Sequence, residues 1–139
     1  MKIITKETIV PTQGNCHIVN VTDIYGKKLD EIKINKGNCT VFIIGSTASV
    51  TTIEYEPGLM QDFPKLMDKL IPAYSRYFHN DTWGDSNGHS HLRASLVGAS
   101  VCIPFTDSVL MLGTWQQIVL IDFDERPRNR RLVIQLIGE

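Results

Sequence analysis

The run TWQQIVLIDFD, residues 114–124, constrains the fold more than any other part of the chain. In an extended strand alternate side chains fall on opposite faces, and here both faces are apolar, with Trp115, Val119, Ile121 and Phe123 on one and Ile118 and Leu120 on the other. Such a strand cannot form the surface of a sheet with one wet side. It needs cover on both faces from a second sheet, a helix layer or a neighbouring subunit. At 139 residues, 42% of them hydrophobic, the chain suffices for one domain with a real core and is too short for two typical ones, so a single domain over 1–139 is expected.

The rest of the chain is mostly β-like. Residues 2–10 carry Ile3, Ile4, Thr5, Thr8, Ile9 and Val10 and stop at Pro11, predicting a strand and then a turn through Gly14; a second strand follows around Cys16–Val21. CTVFIIGSTASVTTIEYE, residues 39–56, reads as two strands or one bent strand broken at Gly45 and Ser46. Strands are also expected in ASVCIPF and RRLVIQLIG. Helices are expected from Thr22 or Asp23, with Ile24, Leu29 and Ile32 as the buried stripe, and over Leu59–Leu70, where Pro57 suits the first turn and Pro64 either kinks the helix or marks its start. A third short helix is placed at about 91–98, with Ser90 as its N-cap. The predicted class is α+β, strands dominating, with two sheets packed as a sandwich and two to three helices.

Lysine and arginine number 14 against 15 acidic residues, with no basic stripe, which argues against nucleic-acid binding through phosphate neutralisation. The N-terminal MKIITKETIVPTQG has no apolar core of the kind a signal peptide or membrane span needs, so a cytoplasmic protein with no membrane partner is expected. Cys16, Cys39 and Cys102 are odd in number and form no C-x-x-C, which points to reduced thiols.

Three of the four histidines, His79, His89 and His91, fall within a polar, aromatic-rich segment and the helix start that follows it. Imidazole is the commonest transition-metal ligand and titrates near neutrality. In an extended segment His89 and His91 would share one side and chelate; within a helix they diverge. At a helix first turn His91 is held neutral by the helix dipole, as a ligand or base requires. Glu54 either faces inward, where it needs a metal, an arginine or a ligand, or faces solvent as an ordinary strand glutamate. The hydroxyls after Gly45, including Ser49 and Thr51, offer an anion-holding turn or simply a hydroxyl-rich strand. In DERPRNRR, Arg126, Arg128, Arg130 and Arg131 have forks that suit phosphate, though such a hairpin is also an ordinary solvated turn.

STAS with the following Glu54, YFHND, HLRASLVG, LGTWQQI and the closing RRLVIQLIGE together resemble the YjbQ-like family, small proteins described as secondary thiamine-phosphate synthases. The resemblance covers nearly the whole chain. It implies a two-sheet α+β fold assembled as a homotrimer, and a site of His79 and His91 with Glu54, Trp115, Gln116 and a bound divalent metal nearby. Many family members have histidine where this chain has Gly45, and His89 is a candidate replacement for it.

Together these features predict a metal-assisted enzyme, with zinc or magnesium, acting on a small molecule that carries a phosphate ester or pyrophosphate; the family resemblance implies weak thiamine-phosphate synthase activity. His79 and His91 are its ligands or acid/base residues, His89 is a further candidate ligand, and Glu54 orients the ion or a water. Ser49, Thr51, Arg93 or Arg130 meet the substrate, and Trp115 and Gln116 shape its pocket. The alternative is a non-catalytic trimer that holds a metal or small ligand. Thiamine-phosphate synthesis expels pyrophosphate and asks for a divalent ion with basic groups; 139 residues cannot form the (β/α)8 barrel of the dedicated synthase.

Overall fold

In the computed structural model, which describes the backbone of residues 1–139 and all side chains except those of Lys27, Lys28 and Asp30, the apolar run becomes strand β7 (Gln116–Asp122). It is the middle strand of a three-stranded antiparallel sheet, between β2 (His17–Asn20) and β4 (Ala48–Glu54). One face of this sheet packs on a larger one, in the order β1 (Lys2–Thr12), β8 (Arg128–Gly138), β3 (Gly37–Ile44), β5 (Ser100–Thr106) and β6 (Val109–Leu110). Ile118 and Leu120 enter that inter-sheet core with Val41, Ile43, Leu132 and Ile134, joined by Tyr25 and Leu29 of helix α1 (Thr22–Ile32).

The opposite face of β7 is covered by helices of the same chain. Val119, Ile121 and Phe123 pack with Met67 and Phe63 of α2 (Pro57–Leu70) and with Ala94 and Val97 of α4 (Gly88–Val97). A trimer is therefore not needed to explain a strand that is apolar on both sides. The two-sheet α+β class is as predicted, with four helices instead of two or three, the fourth being the short α3 (Phe78–Trp83).

Several boundaries differ from expectation for identifiable reasons. Pro11 does not end β1, because β1 is an edge strand, where a residue without an N–H is tolerated. For helix α2 the expected place of Pro57 in the first turn holds, and of the two alternatives for Pro64 the start is excluded, since the helix runs through it; the Glu56 carboxylate caps α2 by accepting from the backbone N–H of Gly58 (2.8 Å) and of Leu59. The last helix begins at Gly88, with Asn87 at the cap position, so Ser90 lies inside it and is fully buried, its hydroxyl donating to the Phe123 carbonyl. Gly88 fits because a Cβ there would fall 2.7 Å from the Tyr77 Cβ. Its N–H donates to Asn80 Oδ1 at 2.8 Å, which docks the start of α4 on α3.

Candidate functional site

With both His89 and His91 inside α4, two positions apart, their side chains leave the helix in widely different directions. His89 is buried, its ring 6.5 Å from that of Tyr77 and its Nε2 3.4 Å from the Ser90 hydroxyl. Burial and the nearby Arg93 guanidinium hold it below the usual histidine range. His91 is half-buried and meets His79 of α3, with ring centroids 4.3 Å apart and planes inclined at 50°. Burial and the His79 charge lower its pKa as well, so His91 is neutral at neutral pH. The structure thus joins His79 to His91 and turns His89 away from them.

Behind the imidazoles lies a polar chain. His79 Nε2 is 3.2 Å from Asn87 Oδ1 and 3.4 Å from an Asp85 carboxylate oxygen. Asn87 Nδ2 donates to Asp124 Oδ1 at 3.4 Å, and the other Asp124 oxygen accepts from Arg128 at 2.6 and 3.0 Å and from the Thr47 hydroxyl at 3.2 Å. Burial pushes the Asp124 carboxyl up, but the Glu125 N–H, Arg128 and Asn87 outweigh it and bring it to about 2.

His91 lines two clefts. One, of about 360 Å³, is walled by Tyr77, Phe78, Leu92, His79 and Arg76, whose guanidinium lies 5.7 Å from the Phe78 ring centroid. The other, of about 410 Å³, is lined by Gly45, Ser46, Ser95, Gly98 and Ala99. A molecule bound here meets aromatic carbon on one side of His91 and small residues with accessible backbone on the other.

Other predicted site residues have different surroundings. Glu54 is exposed at the far end of β4, opposite Gln116 in the β4–β7 register, whereas the histidine end of that pair is Ala48 opposite Asp122. Six strand positions separate the two ends, about 20 Å at ~3.3 Å per residue. Gln116 donates to the Thr52 hydroxyl at 3.0 Å, and Trp115 beside it is 71% exposed. Within one chain, then, Glu54, Trp115 and Gln116 form a separate group. The buried Ser49 hydroxyl donates to the Ala94 carbonyl at 3.0 Å and ties β4 to α4, with half-buried Thr51 further along the same strand face.

Two predicted phosphate ligands are occupied by protein. Arg93 is buried and donates to the Ile71 carbonyl and the Asp68 carboxylate, both at 2.9 Å. Arg130 is also buried and forms a two-pronged pair with Asp122, both contacts 2.7 Å, while donating to Thr47 at 2.8 Å. Burial pushes the Asp122 carboxyl up, but its bonds from Arg130, Thr12 and the Asp124 N–H hold it below the ordinary value.

Asn87, Asp85 and Asp124 were missed by the sequence reading. Asp122 and Asp124 offered a signal: two carboxylates in an otherwise apolar buried run demand cationic partners. Among the described residues, no three His, Cys, Asp or Glu side chains converge in metal-binding fashion.

A family model described as UPF0047 protein YjbQ-like matches residues 6–139. The chain belongs to this family. A UPF0047 protein of Methanothermobacter thermautotrophicus is 32% identical over 139 residues, covering 100% of this chain and 95% of its own. One from Archaeoglobus fulgidus is 33% identical over 131 residues, 94% of this chain and 99% of its own. A crystal structure of a YbjQ-like protein of unknown function from Sulfolobus solfataricus P2 matches with a TM-score of 0.93 at 30% identity, over 99% of each chain. A YjbQ/UPF0047 protein of Clostridium acetobutylicum matches at 0.86 and 32%, over 95% of this chain and 99% of its own. The YjbQ-like fold thus spans this chain from end to end. No helix of the described residues is long and apolar enough to cross a membrane.

Proposed function

We propose that the chain binds a small phosphorylated molecule at the junction of His79 and His91 and acts on its phosphate ester or diphosphate, assisted by a divalent ion. The observation that carries this reading is the contact of two imidazoles, 4.3 Å between centroids, at the meeting of two clefts. The cleft with Tyr77, Phe78 and Leu92 suits a flat apolar ring, and the Gly45–Ser46 side has room for a charged group. With Arg93 and Arg130 held in buried pairs, the guanidinium lining the ring cleft is that of Arg76, which itself donates to the Asp81 carboxylate at 3.0 Å in an exposed pair.

The donor set limits the ion. Two imidazoles suit zinc better than magnesium, which prefers oxygen. A catalytic zinc commonly has three protein ligands, and the described residues of this chain bring two imidazoles together without a third donor. The fit is to an ion completed by water and substrate oxygens, or by a residue of another subunit. Such an ion would supply charge to the leaving phosphate oxygens. The chain's own part is to orient the substrate in the clefts and, with His91 neutral at neutral pH, to offer such an ion a free imidazole lone pair.

Membership of the family makes thiamine-phosphate formation the first reaction to test, in a homotrimer as the family resemblance implies. Purified protein incubated with the pyrimidine diphosphate, the thiazole phosphate and zinc or magnesium is expected to form product that His91→Ala abolishes. Equal product from both proteins removes the catalytic claim. One observation favours a second reading, a trimer that holds its ligand without turnover: neither Glu54 nor Gln116 stands beside the imidazoles in the single chain. Ligand binding that requires His91, with no substrate consumed, is its expected result.

A further inference from the structure

We propose that Asn87 is a positioning residue that fixes the proton of His79 on Nε2 and leaves Nδ1 as its working nitrogen. With its carboxyl held at about 2, Asp124 is a carboxylate at neutral pH and only accepts hydrogen bonds. The Asn87 group facing it must therefore be the amide nitrogen, as the 3.4 Å contact from Nδ2 to Asp124 Oδ1 has it. The opposite amide orientation would set oxygen against oxygen. Arg128 and Thr47 hold Asp124 from its other oxygen, so the carboxylate is not free to turn towards a different partner.

Once the amide orientation is set, Asn87 presents Oδ1 to His79 Nε2 at 3.2 Å. The second polar neighbour of that nitrogen, an Asp85 carboxylate oxygen at 3.4 Å, is also an acceptor. A nitrogen facing two acceptors must carry a proton, since a bare lone pair there would be repelled by both. Whether His79 is neutral or protonated, Nε2 is N–H. The position that gains or loses a proton, or meets a ligand, is Nδ1.

The same residue aligns the second histidine through its backbone. Asn87 occupies the cap position of α4, and its carbonyl accepts from the N–H of Ser90 at 2.9 Å and of His91 at 3.4 Å. Its side chain grips His79 while its main chain starts the turn that bears His91. Asn87 thus couples the two rings to each other and to the Asp124–Arg128 pair. The outer partners of a working histidine commonly have this role, setting tautomer and ring direction. The assignment deepens the proposed function and rests on it only for its catalytic consequence.

Full-length protein labelled with ¹⁵N-histidine, its His79 signals assigned by their loss in His79→Gln, tests this by long-range ¹H–¹⁵N correlation. The wild type is expected to show His79 Nε2 as the protonated nitrogen and Nδ1 as the unprotonated one. In Asn87→Ala the Nε2 proton should exchange with solvent about tenfold faster, the factor for losing one hydrogen bond of modest strength. Asp124→Asn, which lets the Asn87 amide turn over, should loosen it in the same direction. A wild-type His79 protonated on Nδ1 overturns the assignment without needing either variant, as does unchanged exchange in Asn87→Ala. The expected spectrum in a protein without turnover leaves the assignment standing and removes only the catalytic reading.

Discussion

Replacing Arg130 with alanine distinguishes a structural guanidinium from a phosphate-binding one. Asp122 is fully buried and accepts both prongs of Arg130 at 2.7 Å, so the substitution strands a carboxylate in the inter-sheet core. Breaking a buried pair from one side costs about 3–5 kcal/mol, mostly through the charge left behind. The remaining bonds from Thr12 and the Asp124 N–H soften this without supplying a cation, which sets the expectation near the lower end, about 3 kcal/mol. For a domain of this size that lowers the melting temperature by roughly 10 °C. Urea unfolding at fixed protein concentration, read by near-ultraviolet circular dichroism, measures it directly. The double variant Arg130→Met, Asp122→Leu should recover much of the loss, because removing both charges together leaves none unpaired. Stability of Arg130→Ala within about 1 kcal/mol of wild type, with weakened binding of inorganic phosphate, would refute the structural assignment.

Three further substitutions probe the inter-sheet core and the surroundings of the site. Tyr25 is 1% exposed and its hydroxyl has no partner among the described residues, so Tyr25→Phe should stabilise the protein by about 1 kcal/mol in the same urea assay. Gly88→Ala would normally favour a helix by about 1 kcal/mol, yet here the added Cβ meets Tyr77 Cβ at 2.7 Å; thermal melting should show destabilisation instead, by about 1–3 kcal/mol. Asp124, with a folded-state pKa of about 2 against an ordinary 3.8, contributes stability that is complete above pH 3.8 and lost as the pH falls through 2. At ~1.4 kcal/mol per tenfold that limb is worth about 2 kcal/mol, and Asp124→Asn should flatten it in acid unfolding curves.

The parts of this molecule legible in the sequence are those governed by local periodicity. The doubly apolar β7, the two strands that the break at Gly45 separates and the amphipathic α2 follow from side-chain alternation and spacing. The two sheets follow from the need to cover β7. The start of α4 was misread because Ser90 has the chemistry of a cap, while the choice of Gly88 depends on Tyr77 and Asn80 of another segment. Arg93 and Arg130 were assigned to substrate because a guanidinium suits a phosphate and a buried carboxylate equally well. Only tertiary placement reveals Asp68 and Asp122 beside them. The His79–His91 contact was anticipated by clustering in the sequence, whereas Asn87 was not, since its significance lies in what stands on either side of it.

Strand β1 has a consequence for how copies of this chain behave at high concentration. At eleven residues it is a long edge, and such an edge offers a template on which another chain can add a strand. Lys2 and Lys6 are exposed along it, and Pro11 near its end withholds a donor from any newcomer. What first reads as a misplaced strand-breaker is better understood as a guard against fibre growth, so Pro11→Val is expected to leave the fold intact while increasing light scattering on storage.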